Sequence, residues 1–178
     1  IQDYTAAQLQ DKIAVVAQTA HLFSGTIADN LRFAKPDADE DEMREALVTA
    51  QADFVFESGE GLDRIVQAKG RNFSGGQKQR LSVARAVIKK PEILVLDDAA
   101  SALDFATEAR LRAAISRMPC AKVIVSQRIG SIKGADKILV LDEGRAVGFG
   151  THETLLTDCP PYAELNALQS GGEPCARP

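Results

Sequence analysis

The sequence contains no tryptophan and only two tyrosines, so it lacks the aromatic side chains on which single-stranded nucleic acids usually stack. Its formal net charge of −4 likewise shows no basic excess of the kind that nucleic-acid-binding domains carry. No apolar run approaches the roughly 18–20 residues that span a bilayer. We therefore expect a soluble globular domain that binds no nucleic acid.

Cysteine is scarce, and the three cysteines lie far apart, at Cys120, Cys159 and Cys175. There is no CxxC pair and no Cys/His cluster, which argues against a structural zinc site. An odd number of separate thiols is typical of a reducing compartment. The chain also starts without Met or a secretory leader, and we expect it to be an internal part of a longer protein.

Apolar strands alternate with amphipathic helices, which predicts an α/β fold with a mostly parallel sheet. Strands are predicted at 12–18, 92–98 and 121–127, with a strand pair at 135–144 and 145–150. Helices are predicted at 26–33, 39–50, 77–90, 104–118, 151–156 and 161–168. Residues 26–90 should form a helical sub-domain, 1–25 and 91–170 the core of the domain, and 171–178 a disordered tail.

Polar residues end three of the predicted strands: Gln18, the pair Asp97 and Asp98, and Gln127. In open parallel sheets, ligands bind beyond the carboxyl ends of the strands. We therefore expect these side chains to meet in one site.

The segment NFSGGQKQR (72–80) joins a glycine loop to a predicted helix. Ser74 can cap that helix, while Gly75 and Gly76 allow the backbone to approach a ligand closely. Free N–H groups at the positive end of a helix attract anions. A Ser-capped helix is common, so this segment is informative mainly in combination with the acidic strand end that follows it.

Together these segments resemble the motifs of ATP-binding cassette (ABC) ATPases, in the same order and at similar spacing up to about residue 168. FSGGQKQR resembles their signature motif, ILVLDD their Walker B strand, VVAQ their Q-loop and VIVSQR their switch region. SALD resembles their D-loop, which here is Ser101, Ala102, Leu103 and Asp104. HLFSGTIADNLRF and RNFSGGQKQR resemble the exporter branch, and the resemblance implies a P-loop NTPase-like fold.

The resemblance also implies roles for these residues, with ATP and Mg²⁺ as cofactors. Asp97, with Gln18, would hold Mg²⁺, largely through water. Ser74, Gly75, Gly76 and Gln77 would contact the γ-phosphate of an ATP bound mainly by a second nucleotide-binding domain. The expected partners are that second domain and the transmembrane domain of the same transporter, at the cytoplasmic face of the cell membrane.

Several residues depart from the family pattern. No GxxxxGK[ST] occurs, so the phosphate-binding P-loop and the N-terminal portion are missing, and the chain by itself should be inactive. Asp98 stands where the family has a catalytic Glu, Gln127 where it has the switch His, and Ala68 where exporters have a Glu.

Asp is shorter than Glu by roughly 1.5 Å, and an amide carries no positive charge. These changes resemble the degenerate half of bacterial heterodimeric exporters. In such a half the catalytic positions, here Asp98 and Gln127, hydrolyse slowly while the signature loop completes the partner's site.

Other functions remain open. One is a homodimeric exporter in which Asp98 and Gln127 still allow slow hydrolysis, and another is a non-hydrolytic interaction or regulatory module. A DNA-repair or chromosome-structuring ATPase would carry long coiled coils, and the sequence has no sustained heptads.

The sequence has two histidines, and His152 is expected to be structural. His21 lies beside the Q-loop, where it could either contact the transmembrane domain or belong to a solvated loop.

Overall fold

The computed structural model describes residues 3–57 and 59–171. The helices are α1 Ala6–Lys12, α2 Ile27–Arg32, α3 Glu40–Thr49, α4 Phe54–Glu57, α5 Gly75–Val87, α6 Phe105–Ser116, α7 Ile129–Ile132, α8 His152–Asp158 and α9 Pro160–Gln169. The strands are β1 Ile13–Val16, β2 Gly25–Thr26, β3 Ile65–Val66, β4 Ile93–Asp97, β5 Ala121–Val125, β6 Ile138–Asp142 and β7 Arg145–Gly150. Apart from Gly171, the predicted disordered tail lies outside the described residues.

Three strands that the sequence predicts form a parallel sheet in the order β1-β4-β5. Val16 pairs with Leu96, and Leu96 with Ile124, so the carboxyl ends of all three strands lie at the same edge. This confirms the predicted α/β fold with a parallel sheet. It also places Gln18 and the Asp97–Asp98 pair beyond adjacent strand ends.

Burial alternates along these strands. Val16, Leu94 and Leu96 face a core that the helices complete, and all three are buried. On the opposite face Val15 and Val125 are 62% and 52% exposed. Within the part of the chain that the structure describes, the sheet is therefore packed on one face.

Capping side chains start the helices where the sequence predicts them. Thr26, Asp39, Ser74 and Thr151 each accept a hydrogen bond from the backbone N–H three residues on, and the residue there bonds back. Such reciprocal pairs satisfy N–H groups that have no partner inside the helix. The predicted helix at 77–90 instead runs from Gly75 to Val87, and Lys90 turns into the left-handed region with φ +49° before Pro91.

Helices α2, α3 and α5 pack around a shared apolar centre, with Met43, Leu47 and Val83 fully buried. A short antiparallel pair, β2 with β3, joins the start of α2 to the chain before the signature segment. The sequence pattern did not predict β2, β3, α1, α4 or α7. All of these except α1 have four residues or fewer, which is too short to show a period.

The chain divides into two compact units at the junction of Val125 and Ser126. The first contains the parallel sheet and α1–α6. The second contains the antiparallel hairpin β6–β7, as predicted, with α7, α8 and α9. Its own core is formed by Ile129, Ile138, Leu155, Cys159 and Tyr162.

Candidate functional site

The two acids at the end of β4 differ in backbone conformation. Asp97 is the last residue of the strand, pairs with Val125 and is exposed. Asp98 leaves the strand in the left-handed region, with φ +46°. Its N–H donates to the Val125 carbonyl at 2.9 Å, and its carbonyl accepts from the Ser101 N–H at 3.1 Å and the Ser101 hydroxyl at 2.9 Å. The turn therefore directs the two carboxylates differently and holds the Asp98 backbone through three hydrogen bonds.

Gln18 meets Asp98 because β1 and β4 are in parallel register. The amide Nε2 of Gln18 donates to Oδ2 of Asp98 at 3.3 Å, slightly longer than the usual range of roughly 2.7–3.2 Å. The residues are 80 apart in sequence, and only strand pairing brings them together. The structure thus brings together two of the polar strand ends that the sequence predicted would converge.

Hard oxygen ligands suit Mg²⁺, which keeps much of its own water and takes only a few protein ligands. The exposed carboxylate of Asp97 and the amide oxygen of Gln18 meet that requirement, since Nε2 of Gln18 is the atom engaged by Asp98. No group of three or more His, Cys, Asp and Glu side chains is placed to hold a metal within residues 3–57 and 59–171. The candidate ligands therefore fit a largely hydrated magnesium ion.

The signature segment forms the first turn of α5. The Ser74 hydroxyl accepts from the Gln77 N–H at 3.2 Å, and the Gln77 side-chain oxygen accepts from the Ser74 N–H at 3.0 Å. Arg80 reinforces the turn, because Nε donates to the Gly76 carbonyl at 3.3 Å and Nη1 to the Gln51 carbonyl at 2.7 Å. The result is an exposed, well-ordered helix N-terminus that can bind an anion.

The D-loop residues pack directly against this turn. A Cβ added at Gly76 would lie 3.0 Å from the Ala102 carbonyl oxygen and 3.4 Å from a methyl of Leu103. Gly76 is therefore required for close approach and not for an unusual φ. Leu103 is buried, and Asp104 caps α6 by accepting from the Thr107 N–H at 2.9 Å. That bond from the Thr107 backbone, with one from its side chain, lowers the pKa of Asp104.

Gln127 lies in the second unit, two residues beyond the end of β5. Its carbonyl accepts from the side chain of Gln169 at 2.7 Å, and Gln169 also accepts from the Ile129 N–H at 2.9 Å. The side chain of Gln127 is exposed. That the Gln127 side chain lies in one site with Gln18 and Asp98 stays a prediction.

His152 contacts Tyr162 through a hydrogen bond of 2.8 Å between Nδ1 and the phenolic oxygen, with the rings edge to face. Tyr162 belongs to the core of the second unit, and burial raises its pKa. This arrangement agrees with the structural role expected of His152.

Sequence reasoning missed Gln79, a buried polar residue on α5. Its Nε2 donates to the carbonyl of Ala17, the residue before Gln18, at 3.2 Å. The available signal was a glutamine on the apolar stripe of the helix, four and seven positions before Val83 and Ala86.

It also missed an exposed aromatic pair close to Gln18 in sequence. The rings of Phe23 and Phe33 lie 4.4 Å apart between centroids, and the side chains are 46% and 68% exposed. Two phenylalanines in polar surroundings were the available signal.

The chain is similar to known proteins both in sequence and in structure. The family model described as "ABC transporter" matches residues 1–101. An uncharacterised ABC transporter ATP-binding protein of Mycobacterium bovis is 49% identical over 175 residues, which are 96% of this chain and 30% of that protein. A β-(1→2)glucan export ATP-binding/permease protein of Rhodopseudomonas palustris is 44% identical over 172 residues, 95% of this chain and 28% of that protein.

An ATP-dependent lipid A-core flippase of Photobacterium profundum is 37% identical over 175 residues, 96% of this chain and 30% of the flippase. The solved structure of a bacterial Atm1-family ABC exporter with ATP bound superposes with a TM-score of 0.90 at 35% identity, covering 96% of this chain and 30% of the exporter chain. The chain thus spans less than a third of the length of each of these relatives. Within its described residues, none of the helices is both long and apolar enough to cross a membrane.

Proposed function

The chain belongs to the ABC transporter family, and we propose that it is the C-terminal part of a nucleotide-binding domain that drives export. The observation that supports this most directly is the contact of Gln18 with Asp98. The capped turn of Ser74 and Gln77, at the start of α5, lies in the same unit. One relative is named for the export of β-(1→2)glucan and another as a flippase of lipid A-core. The transported substrate would be decided elsewhere, in the transmembrane domain.

In this proposal ATP is held between two cassettes, and Asp97 with Gln18 would hold Mg²⁺ at the edge of the sheet. When bound, the ion neutralises charge on the phosphate oxygens. The N-terminal turn of α5, with Ser74, Gly75, Gly76 and Gln77, would receive the γ-phosphate of a nucleotide bound by the other cassette. Free backbone N–H groups and the helix dipole both favour an anion there.

We further propose that the chain's own site hydrolyses ATP slowly. Asp98 is short of the reach of a Glu by about 1.5 Å, and a misplacement of about 1 Å can cost on the order of 10²-fold in rate. Gln127 can donate a hydrogen bond to phosphate but has no charge to offer. With the signature turn intact, this combination favours a heterodimer whose competent site lies on the partner cassette.

The transmembrane domain is the second proposed partner, which would place the cassette at the cytoplasmic face of the membrane. The exposed pair Phe23 and Phe33 is a candidate contact surface, since exposed aromatic clusters commonly mark interfaces. Buried Asn30 supports this pair, because it accepts from the Phe23 N–H at 2.8 Å and donates to the Phe23 carbonyl at 2.9 Å. A partner helix would therefore meet a surface that is already ordered.

The proposed organisation assigns 26–90 to the helical signature sub-domain and 1–25 with 91–170 to the catalytic core. A second candidate function, a non-hydrolytic regulatory cassette, is favoured by the same two residues, Asp98 and Gln127.

The test uses the complete transporter that contains this chain. Ser74→Arg should abolish ATPase activity, because a large cation replaces the capping hydroxyl where the partner's nucleotide would bind. Asp98→Asn should change turnover by less than about twofold, since the fast site would use the partner's base. Ser116→Arg, on the exposed end of α6, is the matched control for introducing an arginine.

Loss of turnover in Asp98→Asn as complete as in Ser74→Arg would rule out the degenerate site and favour the homodimeric exporter. An absence of ATPase activity in the unmodified transporter, with ATP binding intact, would favour the regulatory cassette.

A further inference from the structure

The helix that begins with the signature turn also contacts the Q-loop backbone. Gln79 lies five residues after Ser74 on α5, and only 2% of its surface is exposed. Its Nε2 donates to the Ala17 carbonyl at 3.2 Å, although the two residues are 62 apart in sequence. Ala17 directly precedes Gln18.

Packing alone does not explain an amide at this position. The buried neighbours of Gln79 on α5 include Leu81, Val83 and Ala84, so an apolar side chain of the same length would suit the environment. Burying an amide costs free energy unless its polar atoms are hydrogen-bonded. The bond to Ala17 offsets this cost and gives the amide a specific direction toward the Q-loop.

A second hydrogen bond continues from the same loop to the end of β4. Gln18, held next to the anchored carbonyl, donates to Oδ2 of Asp98 at 3.3 Å. Because this hydrogen bond is already long, a small displacement of the Ala17–Gln18 backbone away from β4 would break it. The side-chain reach of Gln18 therefore depends on where α5 holds Ala17.

We propose that Gln79 is a positioning residue that ties the Q-loop to the signature helix within one chain. The first turn of α5 moves together with the rest of the helix, because the Arg80 side chain donates a hydrogen bond to the Gly76 carbonyl in the preceding turn. Ser74 and Gln79 are about 7.5 Å apart along the axis at 1.5 Å per residue. A displacement of the signature turn thus moves Ala17, and with it Gln18, away from or toward Asp98.

This inference rests on the proposed ATPase function, in which the signature turn serves the partner's nucleotide and Gln18 serves the chain's own site. Gln79 would make the two sites responsive to each other without touching nucleotide itself. It is thus a positioning residue that acts through Gln18 and not a catalytic residue.

The experiment compares Gln79→Met with Ser82→Ala in the complete transporter. Methionine keeps the length and packing of glutamine but has no amide to hold Ala17. Ser82 is a second buried polar residue on the same helix, so its replacement controls for loss of a buried polar group. Gln79→Asn keeps an amide but is one methylene shorter, so it should lose the hydrogen bond to Ala17. This variant replaces Gln79→Met in the experiment if the methionine variant does not fold.

Three readouts separate positioning from general stability. Hydrogen exchange of the backbone amides at 17–19, without nucleotide, should speed up about tenfold in Gln79→Met and Gln79→Asn and stay unchanged in Ser82→Ala. The kcat of the chain's own site, measured in a transporter whose partner site has been inactivated, should fall about tenfold, with KM changed less than about twofold. Combined with Gln18→Ala, Gln79→Met should lower kcat by no more than Gln18→Ala alone does.

Unchanged exchange at 17–19, or a purely additive effect with Gln18→Ala, would overturn the inference. Its failure is distinguishable from failure of the proposed function. If Ser74→Arg abolishes turnover while Gln79→Met leaves both exchange and kcat unchanged, only the positioning role is wrong. If Ser74→Arg leaves turnover intact, the function itself is wrong.

Discussion

At the scale of the residue, Asp98 shows why side-chain chemistry and backbone conformation have to be considered together. Its φ of +46° lies in a region where aspartate is several-fold enriched over most residues. The Val125 carbonyl and Ser101 hold this turn through three hydrogen bonds. An aspartate at this position therefore has a local structural reason, in addition to its consequence for catalytic reach.

Asp98→Glu tests both effects in the complete transporter. With the partner's site inactivated, the longer side chain should raise ATP turnover about tenfold if reach limits the chain's own site. The free energy of unfolding should fall by less than about 1 kcal/mol, because glutamate tolerates the left-handed region less well than aspartate. Steady-state ATPase assays and thermal unfolding provide the two measurements.

Asp97→Glu is the matched control, since it lengthens the adjacent acid without the left-handed backbone and should not raise turnover. A turnover in Asp98→Glu equal to or below that of the unmodified protein would show that reach is not the limiting factor.

At the scale of the element, the turn of the β6–β7 hairpin contains one residue whose side chain is unfavourable for its backbone conformation. Asp142 pairs with Arg145, leaving Glu143 and Gly144 as a two-residue loop. Both have positive φ, +46° and +77°, as in a type I′ turn. Glycine suits this geometry, but an exposed glutamate does not, because its Cβ clashes with the backbone in the left-handed region.

Glu143→Asn should therefore stabilise the protein by about 0.5–1 kcal/mol, since Asn-Gly is the preferred pair for such a turn. Gly144→Ala should have the opposite effect, destabilising by about 1–2 kcal/mol, because alanine is strained at that φ. Urea unfolding of both variants beside the parent gives the two values. A loss of stability in Glu143→Asn would contradict the turn geometry.

At the scale of the whole molecule, hydrogen bonds at helix starts link folding stability to pH. The Thr26 N–H donates to Asp29 at 2.8 Å, and this bond from the Thr26 backbone lowers the pKa of Asp29. The pKa of Asp104 is lowered in the same way by Thr107. In both cases the folded state favours the charged carboxylate.

Stability from these groups is complete above the unfolded pKa of about 3.9 and is lost as pH falls through the lower folded values. The free energy of unfolding should accordingly drop between about pH 5 and pH 3. In the double variant Asp29→Asn/Asp104→Asn the drop should be smaller, because asparagine keeps the acceptor but does not titrate. Equal pH profiles of the two proteins, measured by urea unfolding, would refute this origin of acid sensitivity.

Local features of the protein follow from its sequence alone. The helix caps Thr26, Ser74, Asp104 and Thr151, and the order of the motifs along the chain, can be read directly because each involves residues three or four apart. The parallel strands follow from apolar runs separated by helices. These interactions need no knowledge of the remaining fold.

Other features were decided only by tertiary structure. The contacts of Gln18 with Asp98 and of Gln79 with Ala17 join residues 80 and 62 apart, and they depend on strand register and on how α5 packs against β1. The left-handed turn of Asp98 depends on the carbonyl of Val125 in a neighbouring strand. Sequence patterns record which face of an element is apolar, but the distances between elements are set by side-chain packing, which no local period encodes.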